Sequence, residues 1–116
     1  MFETKILKNV ISRDEVSKMA KEQYGHMIKA VVDVGKGIMA IGGELHVDIE
    51  AILMDKEGSL RDYTWGINLH PEDHGEEFVE FDSMVNIKPS QGNRTRSVSD
   101  PAVREKIREV VSKFIK

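Results

Sequence analysis

Along the chain the spacing of apolar positions changes period twice. Val16, Met19, Ala20, Gln23 and Tyr24 recur at helical spacing near the N-terminus, and Val103, Ile107, Val110, Val111 and Phe114 form one apolar stripe at the other end. Both runs carry start signals. Ser12 and Glu15 have the spacing of a capping box, in which each side chain satisfies the other's free backbone N–H. Gly25 can take the left-handed conformation that ends a helix, so the first helix is predicted over 13–24. Asp100 can cap the second, Pro101 suits a first turn whose N–H groups lack intrahelical partners, and Lys113 and Lys116 suit the negative end of the helix dipole. That helix is predicted over 101–115.

Between the helices the period falls to 2. Met27–Val34 and Ile38–Ile41 flank Gly35-Lys36-Gly37, which predicts a β-hairpin. Gly42-Gly43 suggests a bend before a strand over Leu45–Met54, with further strands over Tyr63–Leu69 and Phe78–Lys88 and a short one over Lys5–Ile11. Val47, Ile49, Ala51 and Leu53 alternate with His46, Asp48 and Glu50, and Trp65, Ile67 and Leu69 alternate with Thr64, Gly66, Asn68 and His70. Connections this short cannot carry parallel crossovers, so the sheet should be an antiparallel meander of four to five strands. The fold class is α+β: two layers, with both helices packed on one apolar sheet face. The other face should be open and polar, presenting His46, Asp48, Glu50, Asn68, His70, Asp82 and Asn86.

Composition narrows the field further. At 116 residues the chain has room for one domain, spanning 1–116, which buries roughly two thirds of the surface its unfolded form exposes. Without cysteine it has no disulfide, thiolate ligand or cysteine nucleophile. The longest apolar run falls far short of a membrane span, and the N-terminus lacks the layout of a signal peptide, so a soluble cytoplasmic protein without membrane contact is expected. The net charge of −3 hides an asymmetry. Residues 1–82 hold 9 basic against 17 acidic residues, a net of −8, while 83–116 hold 8 against 3, a net of +5. Such a split can recruit an anionic partner or a second copy of the chain.

The segment KPSQGNRTRSVSDP, residues 88–101, is the strongest candidate for chemistry. Ser90, Gln91, Asn93, Arg94, Thr95 and Arg96 offer hydroxyls, amides and two guanidinium forks, and they run into a helix N-terminus whose partial positive charge favours anions. The segment contains no nucleotide-binding motif, and a plain turn shaped by Pro89 and Gly92 would have the same composition. Glu44, His46, Asp82 and Asn86 are its expected polar neighbours. The acidic segment Glu72–Asp82 lies at the far end of the 78–88 strand, more than about 30 Å from the basic loop at about 3.4 Å per residue. Within one chain the two would meet poorly; across a two-fold dimer they would meet twice.

Other chemistries are less well supported. His46, Asp48 and Glu50 alternate on one predicted strand about 7 Å apart, a spacing that rarely chelates alone, so no metal or other cofactor is assigned. None of Ser83, Ser90, Ser97 and Ser99 has a nucleophile context, and exposed carboxylates such as Asp48 and Asp82 normally keep ordinary pKa values, so no catalytic residue is assigned. Nucleic acid is not favoured as a partner: Arg94, Arg96, Arg104, Lys106 and Arg108 could follow phosphates, but the sheet lacks an aromatic stacking pair and the chain is acidic.

GKGIMAIGGELH at 35–46, FDSMVNIKPSQGNRTRSV at 81–98 and DPAVREKI at 100–107 resemble a family of short, uncharacterised bacterial and archaeal proteins grouped as a domain of unknown function. The resemblance covers nearly the whole chain and implies one complete domain, with no established activity or site residue to carry over. The expectation from sequence is therefore a non-catalytic protein that binds a small anionic ligand through the basic loop. The alternatives are a homo-oligomer joined by the same arginines, or a small enzyme or metal protein using the open sheet face.

Overall fold

Local signals fix the two amphipathic helices where the apolar spacing puts them. In the computed structural model, which describes residues 3–116, α1 spans Arg13–Gln23 and α3 spans Pro101–Phe114. Ser12 Oγ accepts the Glu15 N–H at 3.1 Å, and Asp100 Oδ1 accepts the Ala102 N–H at 2.9 Å. Strands β2 (Ile28–Asp33) and β3 (Ile38–Ile41) form the expected hairpin. Asp33 shapes its turn by accepting the N–H groups of Gly35 and Lys36.

The sheet has five antiparallel strands in the order β1-β3-β2-β4-β5, where β1 is Lys5–Ile6, β4 is Thr64–Leu69 and β5 is Val79–Glu80. Alternation assigns the faces. Ile28, Ala30, Val32, Met39, Ile41, Trp65, Ile67 and Leu69 join one buried cluster with Val16 and Ala20 of α1 and Ile107, Val110, Val111 and Phe114 of α3. The α+β class, the antiparallel sheet and the shared apolar face of α1 and α3 thus agree with the sequence reading.

Three segments depart from it. Residues 45–54 do not form a strand: α2 runs over His46–Glu57 and ends at Gly58, in the left-handed conformation at φ 70°. Its inward positions His46, Ile49, Glu50 and Leu53 follow helical spacing, and Ile49 and Leu53 pack on Val31 and Ala40 of the sheet's second face. The meander is interrupted as a result. A helix occupies the place of a strand, and β4 returns to pair with β2, with Val31 opposite Gly66. The second face is therefore covered along much of its length, and of the predicted polar row His46, Glu50, Asn68 and Asn86 are buried while Asp48 is exposed.

The second departure is at 78–88, where only Val79–Glu80 pairs as a strand. Ser83 Oγ then accepts the Val85 N–H and the chain turns through a 3₁₀ segment over Met84–Asn86. Third, the predicted N-terminal strand over Lys5–Ile11 contracts to Lys5–Ile6, with Ile11 bridging to Ile115.

Candidate functional site

The polypeptide between Ser83 and Ser99 has little regular structure, and two buried asparagines organise it. Asn86, fully buried beside β4, accepts the Gly66 N–H at 2.7 Å, donates to the Gly66 carbonyl at 2.9 Å and donates to the Arg96 carbonyl at 3.0 Å. Asn93 donates to the carbonyls of Asn86 and Ser97, each at 2.7 Å, and accepts the Ser99 N–H. These amides satisfy backbone groups that would otherwise be buried without partners. Asn86 and Asn93 are thus committed to holding the loop.

Lys88 is similarly occupied. Its Nζ donates to the Val85 carbonyl at 3.1 Å and lies 5.0 Å from the centre of the Trp65 ring. Burial pushes its pKa down, with the Arg61 charge adding to the effect while Glu50 and Asp62 oppose it.

The remaining loop residues divide. Ser90 and Arg94 are exposed, and Gln91 donates to the Asp62 carbonyl at 2.9 Å. Gln91 and Asn93 border a cleft of about 270 Å³ at the start of α3, together with Trp65, Ser99 and Asp100. That cleft has no cationic lining residue, and the Asp100 carboxylate already caps the helix. The helix N-terminus expected to receive an anion is supplied with one by the chain itself. The basic side of α3 is also engaged, since Arg104 and Arg108 lie 4.7 and 4.8 Å from the centre of the Phe81 ring and Arg104 donates to Val98 and Ser97.

Because the chain turns at Met84–Asn86, the predicted separation of acidic and basic segments does not hold. Ser83 N–H donates to the Arg96 carbonyl at 3.0 Å, and Arg96 Nε donates to Asp82 Oδ1 at 2.7 Å. Arg96 and Asp82 meet within one chain.

That turn brings Arg96 to the start of α2, where a second cleft of about 250 Å³ opens. Lys29, His46, Ser83 and Arg96 line it together with Leu45, Val47, Met84 and Val85. Lys29 projects from β2 on the face that carries α2, and its Nζ lies 5.3 Å from the centre of the Tyr24 ring. Arg96 lines the cleft while its Nε is held by Asp82, and its two Nη groups have no hydrogen-bond partner among the described residues. The N-cap position of α2 is held by Leu45, whose side chain cannot accept a bond, so no side chain caps the first turn.

His46 forms part of the inner wall. Its Nε2–H donates to the Ile67 carbonyl at 2.8 Å, which leaves Nδ1 as the acceptor of the neutral ring. Burial holds its pKa below the ordinary 6.5, and nearby Lys29 adds to that, against the opposing pull of the Ile67 and Asn68 hydrogen bonds and of Asp82. Glu50, one helical turn on, accepts from Thr64 Oγ1 at 2.6 Å and from Arg61 at 3.1 Å. Asp48 is exposed, so the alternating trio does not share one face.

The predicted residues are therefore only partly assembled. Arg96 and His46 line one cleft with Asp82 beside them; Asn86 lies under the same turn as a structural group; Glu44 is exposed ahead of α2 and does not line it. Lys29 and Ser83 line the cleft without having been singled out for it. Lys29 had a legible signal, a lone lysine between apolar residues of a strand. Ser83 had none.

The fold and this cleft define an α+β protein with a small, cation-lined recess on the helix-bearing second face of its sheet. The chain belongs to a family of proteins of unknown function, DUF5674, whose model matches residues 5–114. Comparison with curated proteins and with solved structures gives no match.

Proposed function

We propose that this protein is a non-catalytic binder of a small anion, and that the anion sits in the recess at the start of α2. One observation carries the reading: the side chains of Lys29 and Arg96 line the same cleft as the uncapped first turn of α2. Uncapped helix starts and guanidinium forks both favour carboxylate and phosphate. The grip is thus placed on the Arg96 side of the basic loop, away from Ser90, Gln91 and Arg94. A cytosolic location accords with the cysteine-free sequence, and among the described residues no helix is long and apolar enough to cross a membrane.

The test is an amide NMR titration with inorganic phosphate and with acetate at low salt. Shifts are expected at Lys29, Leu45–Val47, Ser83–Val85 and Arg96, and Arg96→Ala should weaken binding by about tenfold or more, the scale of losing a hydrogen bond to a charged group. Saturable shifts confined to Ser90–Arg94 would move the site back to the exposed loop. No saturable shift with either anion would reject the reading.

A second reading, self-association, has its own support. The outward side of α2 carries Val47 and Met54, exposed to 53% and 43%, and Met84 nearby is exposed to 63%. These side chains suit contact with a second copy better than contact with water.

A further inference from the structure

We propose that the anion held in this recess carries an apolar substituent, a short hydrocarbon chain or its equivalent, which lies across Leu45, Val47 and Met84. The inference rests on the anion-binding reading and specifies its ligand.

Polar and apolar groups are segregated in the recess. His46 and Ser83 are buried in its inner wall, at 8% and 1% exposure, and Lys29 projects from the sheet beneath. The exposed lining comprises Leu45 at 57% exposure, Val47 from α2 and Met84 from the facing 3₁₀ turn, beside the exposed Arg96 side chain. Single exposed apolar residues need no explanation. Three that line one cleft together with Lys29, His46, Ser83 and Arg96 are a different matter, because a ligand that reaches those groups lies against them.

Leu45 is informative on its own. The N-cap position favours Ser, Thr, Asp or Asn, each of which would satisfy a free N–H of the first turn. Leucine does the opposite twice: it leaves the His46 and Val47 N–H groups available, that of Asp48 being taken by the Leu45 carbonyl at 3.1 Å, and it exposes an aliphatic side chain beside them. A bound amphiphile would use both consequences. Met84 suits the same role, since an unbranched thioether side chain adapts to irregular apolar contacts.

Charge and size limit the ligand further. Lys29 and Arg96 contribute two positive charges, Asp82 on Arg96 contributes one negative, and the His46 ring is held towards its neutral form. A single excess positive charge matches a head bearing about one to two negative charges better than a nucleotide or polyphosphate. A volume of about 250 Å³ lies below the range of drug-sized pockets, so the ligand is small. The shared chemistry is one anionic head on a short apolar tail, whether the head is a carboxylate or a phosphate ester.

The experiment is a calorimetric and NMR comparison of acetate, butyrate, hexanoate and octanoate, with inorganic phosphate and hexyl phosphate as the second pair. Affinity should rise two- to fourfold per methylene up to about hexanoate, where fourfold corresponds to full burial of the methylene. Comparing hexanoate with hexyl phosphate then identifies the preferred head. Met84→Ser should flatten the chain-length dependence, weakening hexanoate more than acetate, and Val47→Thr, nearly isosteric, should act in the same direction if the serine variant disturbs the turn. Equal affinities for acetate and hexanoate at the cleft would overturn this inference and leave anion binding intact. A length dependence that survives both variants, or that maps to residues elsewhere, would also overturn it. Absence of binding by every probe would reject both readings together.

Discussion

Asn86 acts as a neighbouring strand would. Its side-chain amide offers Gly66 an acceptor and a donor, in the manner of a peptide group across a ladder. A third bond to Arg96 ties the returning chain to the same point. Gly66 is needed for this approach, since a Cβ there would lie 2.5 Å from Ser83 Oγ. Asn86→Ala should cost about 2–4 kcal/mol, the scale of leaving buried backbone groups unpaired, read as a lowered urea midpoint at unchanged slope. In the sequence Asn86 was legible only as a polar residue near a basic loop, because an amide that completes a sheet and an amide that meets a ligand look the same in one dimension. His46 posed the same problem and also carries a pH dependence. Its folded-state pKa lies below 6.5, so the unfolded chain binds the proton more readily. The associated stability is whole above about pH 6.5 and is lost as the pH falls through the folded value. Urea midpoints at pH 7.5 and 5.5 should differ accordingly, and His46→Gln should reduce the difference.

At the scale of elements, α1 and α3 were legible because their inward positions are apolar at helical spacing and their caps use ordinary side chains. The helix α2 was hidden for the converse reason. Two of its four buried inward positions, His46 and Glu50, are polar, while Val47 and Met54 on its outer side are apolar. The hydropathy pattern therefore alternates although the helix does not. Polar burial is tolerated there because His46 and Glu50 find partners in β4 and in Arg61. The retrievable clue was Gly58 after a run of good helix formers. The start of α2 gives a prediction of its own. Leu45→Ser should stabilise the protein by about 1 kcal/mol by supplying the absent cap, a rise in thermal midpoint measurable by calorimetry. The same variant should weaken anion binding, because the serine hydroxyl occupies N–H groups that the ligand would use. A stabilised variant with undiminished binding would place the anion elsewhere.

For the whole molecule, the charge asymmetry of the sequence is partly resolved inside one chain. Arg96 pairs with Asp82, Arg13 donates to the carbonyls of Pro71 and Asp73, and Arg108 reaches the carbonyl of Glu76. A dimer seam built on Arg96 would have to break its pair with Asp82, whereas a seam along α2 and Met84 would not. If the protein self-associates, light scattering should therefore give a mass above 13.1 kDa that persists at high salt, since apolar contacts are not screened. A dimer that dissociates as salt rises would point back to the arginines. The edges of the sheet bear on which associations remain open. Both outermost strands, β1 and β5, are two residues long, and beyond β5 the buried edge of β4 is met at Gly66 by the Asn86 side chain. A sheet ended in this way gives an incoming chain almost no backbone to template on. Protection of this edge thus rests in part on one amide: the destabilised Asn86 variant would also free backbone groups of a strand able to recruit others, so fibrillar aggregates should follow its loss sooner than its lowered stability alone would require.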